Sequence, residues 1–76
     1  MNSPAANSIQ ITVNGQARSV PEGLKLPDLL GILGVDPSRV AIERNREIVR
    51  RPEWPSTLIL AGDEFEVVWF VGGGAR

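Results

Sequence analysis

One stripe of leucines sets the terms for this chain. Leu26, Leu29, Leu30 and Leu33 are spaced i, i+3, i+4, i+7, which is one apolar face of an α-helix. Pro27 suits the first turn, where its missing N–H is not needed. Asp28 sits near the positive end of the helix dipole, and Gly34 is placed to close the helix in a left-handed cap. A helix of about two turns is not stable by itself. It needs a sheet to lie on, and the flanking sequence supplies strands.

Ile9-Gln10-Ile11-Thr12-Val13 alternates apolar and polar residues, as a half-buried strand does. Asn14-Gly15 then signals a hairpin, because both residues accept positive φ. Gln16 to Val20 returns as the second strand, with the loop length and the register of Ala17 and Arg18 open. After the helix, Val35 to Ser38 reads as a loop. Val40 to Arg44 reads as a third strand, Asn45-Arg46 as a turn and Glu47 to Val49 as a short fourth strand. Arg50 to Pro55 reads as an irregular connection, in which Trp54 covers one end of the core. Thr57 to Leu60 is a brief apolar segment, Ala61-Gly62-Asp63 a turn, and Glu64 to Val71 the last strand.

The order predicts an α+β domain, a mixed sheet of four to five strands with one short helix packed across it. Parallel pairing of the first and last strands would make it a β-grasp, but order alone does not fix that pairing. Residues 1–8 read as a disordered N-terminus, 9–71 as the domain and 72–76 as a flexible glycine tail.

Composition excludes much chemistry. The 76 residues make one domain, with no cysteine and no histidine. That removes disulfides, thiolate nucleophiles, histidine bases and the usual zinc sites. A domain of this size buries only roughly 60% of its unfolded surface, which leaves little room for a catalytic cleft. Residues 1–8 lack the marks of a secretory signal and no apolar run could span a membrane, so the chain reads as cytosolic.

The net charge of −1 gives no general case for nucleic acid. Five arginines face two glutamates between Arg39 and Arg51, so that stretch is locally basic, while Pro52 to Arg76 is locally acidic. Such segregation either orients a partner or marks a solvated hairpin face. Glu64 and Glu66 share a strand face that reads as solvated rather than catalytic. Asp63 reads as a turn residue.

The end of the chain is different. Phe65, Val67 and Trp69 lie on one face of the last strand, and Glu64, Glu66, Val68 and Phe70 on the other. From Val67 onward both faces are apolar, where a half-solvated strand would keep alternating. Val68, Trp69, Phe70 and Val71 therefore form either a partner-docking patch or, for Val68 and Phe70, a core edge. Gly72, Gly73 and Gly74 follow. A stretch without β-carbons can thread a narrow channel and carry a carboxylate into another protein. No helix follows these glycines, so they are not a phosphate-binding loop.

Val20-Pro21-Glu22-Gly23, Asp28-Leu29-Leu30, Leu33-Gly34, Val40-Ala41-Ile42-Glu43, Asn45, Glu47-Ile48-Val49, Arg51, Glu53-Trp54, Gly62-Asp63 and Val71-Gly72-Gly73-Gly74 occur in the order and spacing of the ThiS family. These are sulfur carriers of thiamin biosynthesis, and the resemblance spans nearly the whole domain. It implies a β-grasp fold, related to ubiquitin and to the MoaD carriers of molybdopterin synthesis. It implies a carrier that is a substrate of enzymes and binds no cofactor of its own. Gly74 would be adenylated by a ThiF-type adenylyltransferase using ATP. Sulfur from a cysteine desulfurase pathway would convert it to a thiocarboxylate, and a ThiG thiazole synthase would receive that sulfur. Gly72 and Gly73 would be the threading arm. The alternatives are a MoaD-like carrier for another sulfur metabolite and a non-covalent β-grasp binding module. Two features depart from the family pattern. Arg46 stands at a turn position where the family often has glycine, and Ala75-Arg76 follow the glycine that should be terminal.

Overall fold

A computed structural model describes residues 7–70 of the chain. In chain order the elements are β1 (Ser8–Val13), β2 (Gln16–Pro21), α1 (Leu26–Leu33), β3 (Val40–Arg44), β4 (Glu47–Ile48) and β5 (Glu64–Trp69). The strands form one sheet in the order β2-β1-β5-β3-β4. β5 therefore lies at the centre, parallel to β1 and antiparallel to β3. This is the parallel pairing of first and last strands that makes the α+β domain a β-grasp. Among the described residues no helix is long and apolar enough to cross a membrane.

The β1–β2 hairpin closes through a two-residue loop, with Val13 opposite Gln16. Asn14 and Gly15 both have positive φ, 51° and 81°, the geometry whose twist matches the flanking strands. Arg18 consequently lies opposite Ile11 and Ala17 opposite Thr12, which settles the register. The ladder starts earlier than expected. Ser8 is the first residue of β1, and Glu22 N–H donates to the Asn7 carbonyl at 2.9 Å. The expectation of disorder through residue 8 is thus corrected at Asn7 and Ser8, because backbone pairing rather than side-chain burial holds them. Residues 1–6 lie outside the described segment.

Helix α1 buries Leu26, Leu29 and Leu30, with Leu33 half-buried. The Asp28 carboxylate accepts from the Lys25 backbone N–H at 3.0 Å, satisfying a donor at the helix start. Gly34 ends the helix at φ 72°, and Val35 N–H reaches back to the Leu30 carbonyl at 3.0 Å. The helix packs on Ile11 and Val13 of β1, Val20 of β2, Val40 and Ile42 of β3, and Phe65 and Val67 of β5, all within one buried cluster. Among the described residues the opposite face of the sheet carries no α-helix.

A turn of 3-10 helix, Pro37–Arg39, follows α1, with Asp36 as its cap. Hydrogen bonds from the Ser38 hydroxyl and backbone N–H hold the Asp36 carboxyl below its usual range. The connection expected to be irregular is ordered as a 3-10 helix, Arg51–Ser56, with prolines at two of its six positions. Trp54 within it is buried and donates from Nε1 to the Val49 carbonyl at 2.8 Å. Beyond it, segment 57–59 runs against residues 24–26, through Leu26 N–H to Thr57 and Ile59 N–H to Leu24.

Candidate functional site

The region of interest is the C-terminal half of β5 and the chain beyond it. Phe65 and Val67 point toward α1 and are buried at 2% and 5% exposure. Trp69 follows with the same parity, yet it is 53% exposed. The core ends before it, because α1 is only eight residues long and its last turn reaches no farther than Leu33. Trp69 instead borders a cleft of about 200 Å³ with Val13, Asn14, Arg18, Leu33 and Val35. Val68 and Phe70 lie on the helix-free face at 47% and 55% exposure, beside Ala41 of β3. They do not fill a core edge. Three large apolar side chains thus stand in solvent at consecutive positions at the end of the central strand. Val71, Gly72, Gly73 and Gly74, with Ala75 and Arg76, lie outside the described residues.

Beside this apolar end the helix-free face carries a cluster of carboxylates. Glu43 of β3 lies directly opposite Glu66 of β5, and Glu64 is two residues away on the same face. Like charges placed across a strand pair repel. These three carboxylates and Arg46 line a shallow cavity of about 430 Å³ with Thr12. No described cation forms an ion pair with any of the three. Among the described residues no cluster of histidine, cysteine or carboxylate side chains is placed to hold a metal ion.

The basic stretch is mostly consumed by the fold. Arg51 donates to the Pro37 and Val40 carbonyls, both at 2.8 Å, and stacks over Trp54 at 4.6 Å. Arg44 pairs with Asp63 at 3.0 Å, and Arg39 with Asp36 at 3.5 Å. A nucleic-acid groove would leave such groups free for phosphates.

Three polar residues that position β5 were read from sequence only as turn formers. Asp63 is the buried charged residue of the domain, at 6% exposure. Its carboxylate accepts from Arg44 Nε, Asn45 Nδ2 and the Leu60 backbone N–H, at 3.0, 3.2 and 2.9 Å. Asn45 Oδ1 accepts from Glu64 N–H at 2.9 Å, which secures the start of β5. Asn14 Oδ1 accepts from Val67 N–H at 2.7 Å, and its Nδ2 donates to the Val67 carbonyl at 3.3 Å. The only sequence signal was an asparagine at the first position of each hairpin turn, which also fits a turn with no further role.

Comparison with known proteins follows the same lines. The model of the ThiS family matches residues 10–74. The crystal structure of a thiamine biosynthesis protein (ThiS) from Geobacter metallireducens is 35% identical, with a TM-score of 0.77 over 87% of this chain and 100% of that one. A solution structure of a thiamine biosynthesis protein from the same organism is 34% identical, with a TM-score of 0.72 over 90% of this chain and 91% of that one. Proteins named thiazole synthase from Paramagnetospirillum magneticum and Magnetococcus marinus are 39% and 38% identical over 88% and 87% of this chain. The chain spans about a fifth of the length of these two curated relatives, 21% and 20%.

Proposed function

The chain belongs to the ThiS family, and on that premise we propose that it is a sulfur carrier of thiamin biosynthesis with Gly74 as the sulfur-bearing residue. The observation that carries this reading is the family match itself, which runs unbroken through the strand and ends on Gly74.

The chemistry follows from the weakness of a carboxylate as an electrophile. A Gly74 carboxylate oxygen attacks the α-phosphorus of ATP, and pyrophosphate leaves. The acyl adenylate then has AMP as a leaving group; a persulfide from the desulfurase pathway displaces it to give an acyl disulfide, and a second thiol reduces this to the thiocarboxylate and is itself left in a disulfide. Splitting one difficult substitution into two easier ones is the general logic of covalent catalysis. A ThiF-type adenylyltransferase supplies the catalytic groups and a cysteine desulfurase the sulfur. This chain supplies the substrate, which is consistent with its lack of cysteine and histidine. Thiazole synthase is the recipient. Two proteins of that name containing a stretch like this chain support the pairing.

Val68, Trp69, Phe70 and Val71 dock the carrier on its partners, and Gly72 and Gly73 thread Gly74 into the active site. Adenylation needs a free carboxylate on Gly74, which it lacks while Ala75 follows it. Incubated with the activating enzyme, ATP and a sulfur source, a chain ending at Gly74 gains about 16 Da as oxygen is exchanged for sulfur. The chain ending at Arg76 gains nothing. An unchanged mass in the Gly74 form overturns the assignment.

A further inference from the structure

The parallel pairing of β1 with β5 is short. Only Thr12 and Val13 stand opposite β5 residues, Glu64 and Phe65 respectively. At Asn14 the chain turns away into the hairpin loop, while β5 continues for four more residues. Backbone groups along β5 alternate between its two neighbours. Glu64 and Phe70 direct theirs to β3, through Asn45 N–H and the Arg39 carbonyl, whereas Phe65 accepts from Asn14 N–H on the β1 side. Val67 also faces the β1 side, but no β1 residue is left to meet it. Val67 is buried, so an unpaired N–H and C=O there would be costly.

The Asn14 side chain fills this gap. A primary amide has the same donor and acceptor as a peptide group. Here its oxygen takes the Val67 N–H and its nitrogen meets the Val67 carbonyl. The amide acts as one more rung of β1 after β1 has ended, so β5 is held from both sides through Val67. Past that point β3 alone holds it, by the Val40–Trp69 pairing and the Phe70–Arg39 bond.

We propose that the Asn14 side-chain amide is a positioning group for the end of β5, completing the sheet at Val67 and so fixing the direction in which the strand presents Val68, Trp69 and Phe70 to a partner enzyme. This rests on the carrier reading given above. Asn14 touches no reacting atom. It limits the directions in which the end of β5 points, and with it the fraction of encounters in which the docking strand engages.

The test uses two matched substitutions. Asn14→Gly keeps the turn, because glycine adopts the φ of 51° freely, and keeps the backbone N–H to Phe65. Asn45→Gly is the control. It also replaces a turn asparagine at φ 51° and removes a side-chain bond to β5 at Glu64, the end away from the tail, together with one to Asp63. In the full chain, Asn14→Gly is expected to speed amide exchange at Val67 at least ~10-fold, and Asn45→Gly to leave Val67 protected. Adenylation of wild-type and variant chains ending at Gly74 is then followed by ATP–pyrophosphate exchange. Asn14→Gly raises KM for the carrier roughly 5-fold with kcat unchanged. Asn14→Asp, which accepts from Val67 N–H but cannot donate to its carbonyl, falls between, and Asn45→Gly keeps the wild-type KM.

Unchanged Val67 exchange in Asn14→Gly overturns the clamp. Faster exchange with a KM no higher than that of Asn45→Gly overturns the positioning role and leaves a purely structural one. A wild-type chain ending at Gly74 that is not adenylated overturns the carrier reading and the positioning role with it, while the exchange data still judge the clamp.

Discussion

Among single residues, Arg46 is the one placed against its own preference. It lies at φ 74° beside Asn45 at φ 51°, the left-handed pair of a tight hairpin turn. Asparagine tolerates this conformation, whereas an arginine there carries a steric cost of about 1 kcal/mol or more. Its guanidinium makes no ion pair with the neighbouring glutamates that would compensate. Arg46→Gly is therefore expected to stabilise the domain by about 0.5–1 kcal/mol, once the added freedom of the unfolded glycine is subtracted. Thermal unfolding would show this as a Tm roughly 2–6 °C higher. Asp63 illustrates the limit of sequence reading at this scale. A Gly-Asp pair before a strand signals a turn correctly, and the turn is there. That the carboxylate is buried and gathers Arg44, Asn45 and Leu60 depends on β3 and β5 lying side by side, and nothing local to Asp63 encodes that.

At the level of elements, boundaries were legible wherever local chemistry marks them. α1 spans Leu26–Leu33 because the leucine stripe begins at Leu26 and Gly34 can take the left-handed cap. β3 spans Val40–Arg44 because Asn45-Arg46 can turn. The Arg51–Ser56 helix was missed, since Pro52 and Pro55 break the α-helical pattern yet are compatible with a tighter turn held by Thr57 N–H to the Trp54 carbonyl. α1 bears the largest stability prediction. Leu29 is 1% exposed at the centre of a thin core. Leu29→Ala should cost about 2–5 kcal/mol, a large part of the total for a domain of this size. Chemical denaturation would then show a much lower midpoint, or no cooperative transition at all.

For the whole molecule, the fold class followed from the element order, whereas the central place of β5 did not, because parallel pairing across the full chain length leaves no local trace. The candidate site was legible in part. Periodicity predicted that apolar residues would appear on both faces of β5 past Val67. It placed Trp69 with the core residues, and only the length of α1 decides that the core stops short of it. The exposure of Phe70, 55%, yields a prediction on the docking role. Phe70→Ala is expected to weaken binding to the activating enzyme by roughly 1–2 kcal/mol, or about 10-fold, as anchors at interfaces do. The Tm should barely move, since little buried area is lost. Equal affinity in both proteins, measured by calorimetry, would remove Phe70 from the interface.

The order of the sheet has a further consequence, for the birth of the protein. Within the sheet, the hairpin β1–β2 and the pair β3–β4 are joined by β5, which the ribosome makes after the other strands. Until Trp69 has emerged, the two halves share no strand, and α1 lies on a sheet whose central strand is missing. Long-range contacts that close late delay folding to the end of synthesis. A nascent chain cut short before β5 therefore remains unfolded and open to proteolysis. One that folds has already been translated to within five residues of Gly74, the residue at which the match to the ThiS family ends.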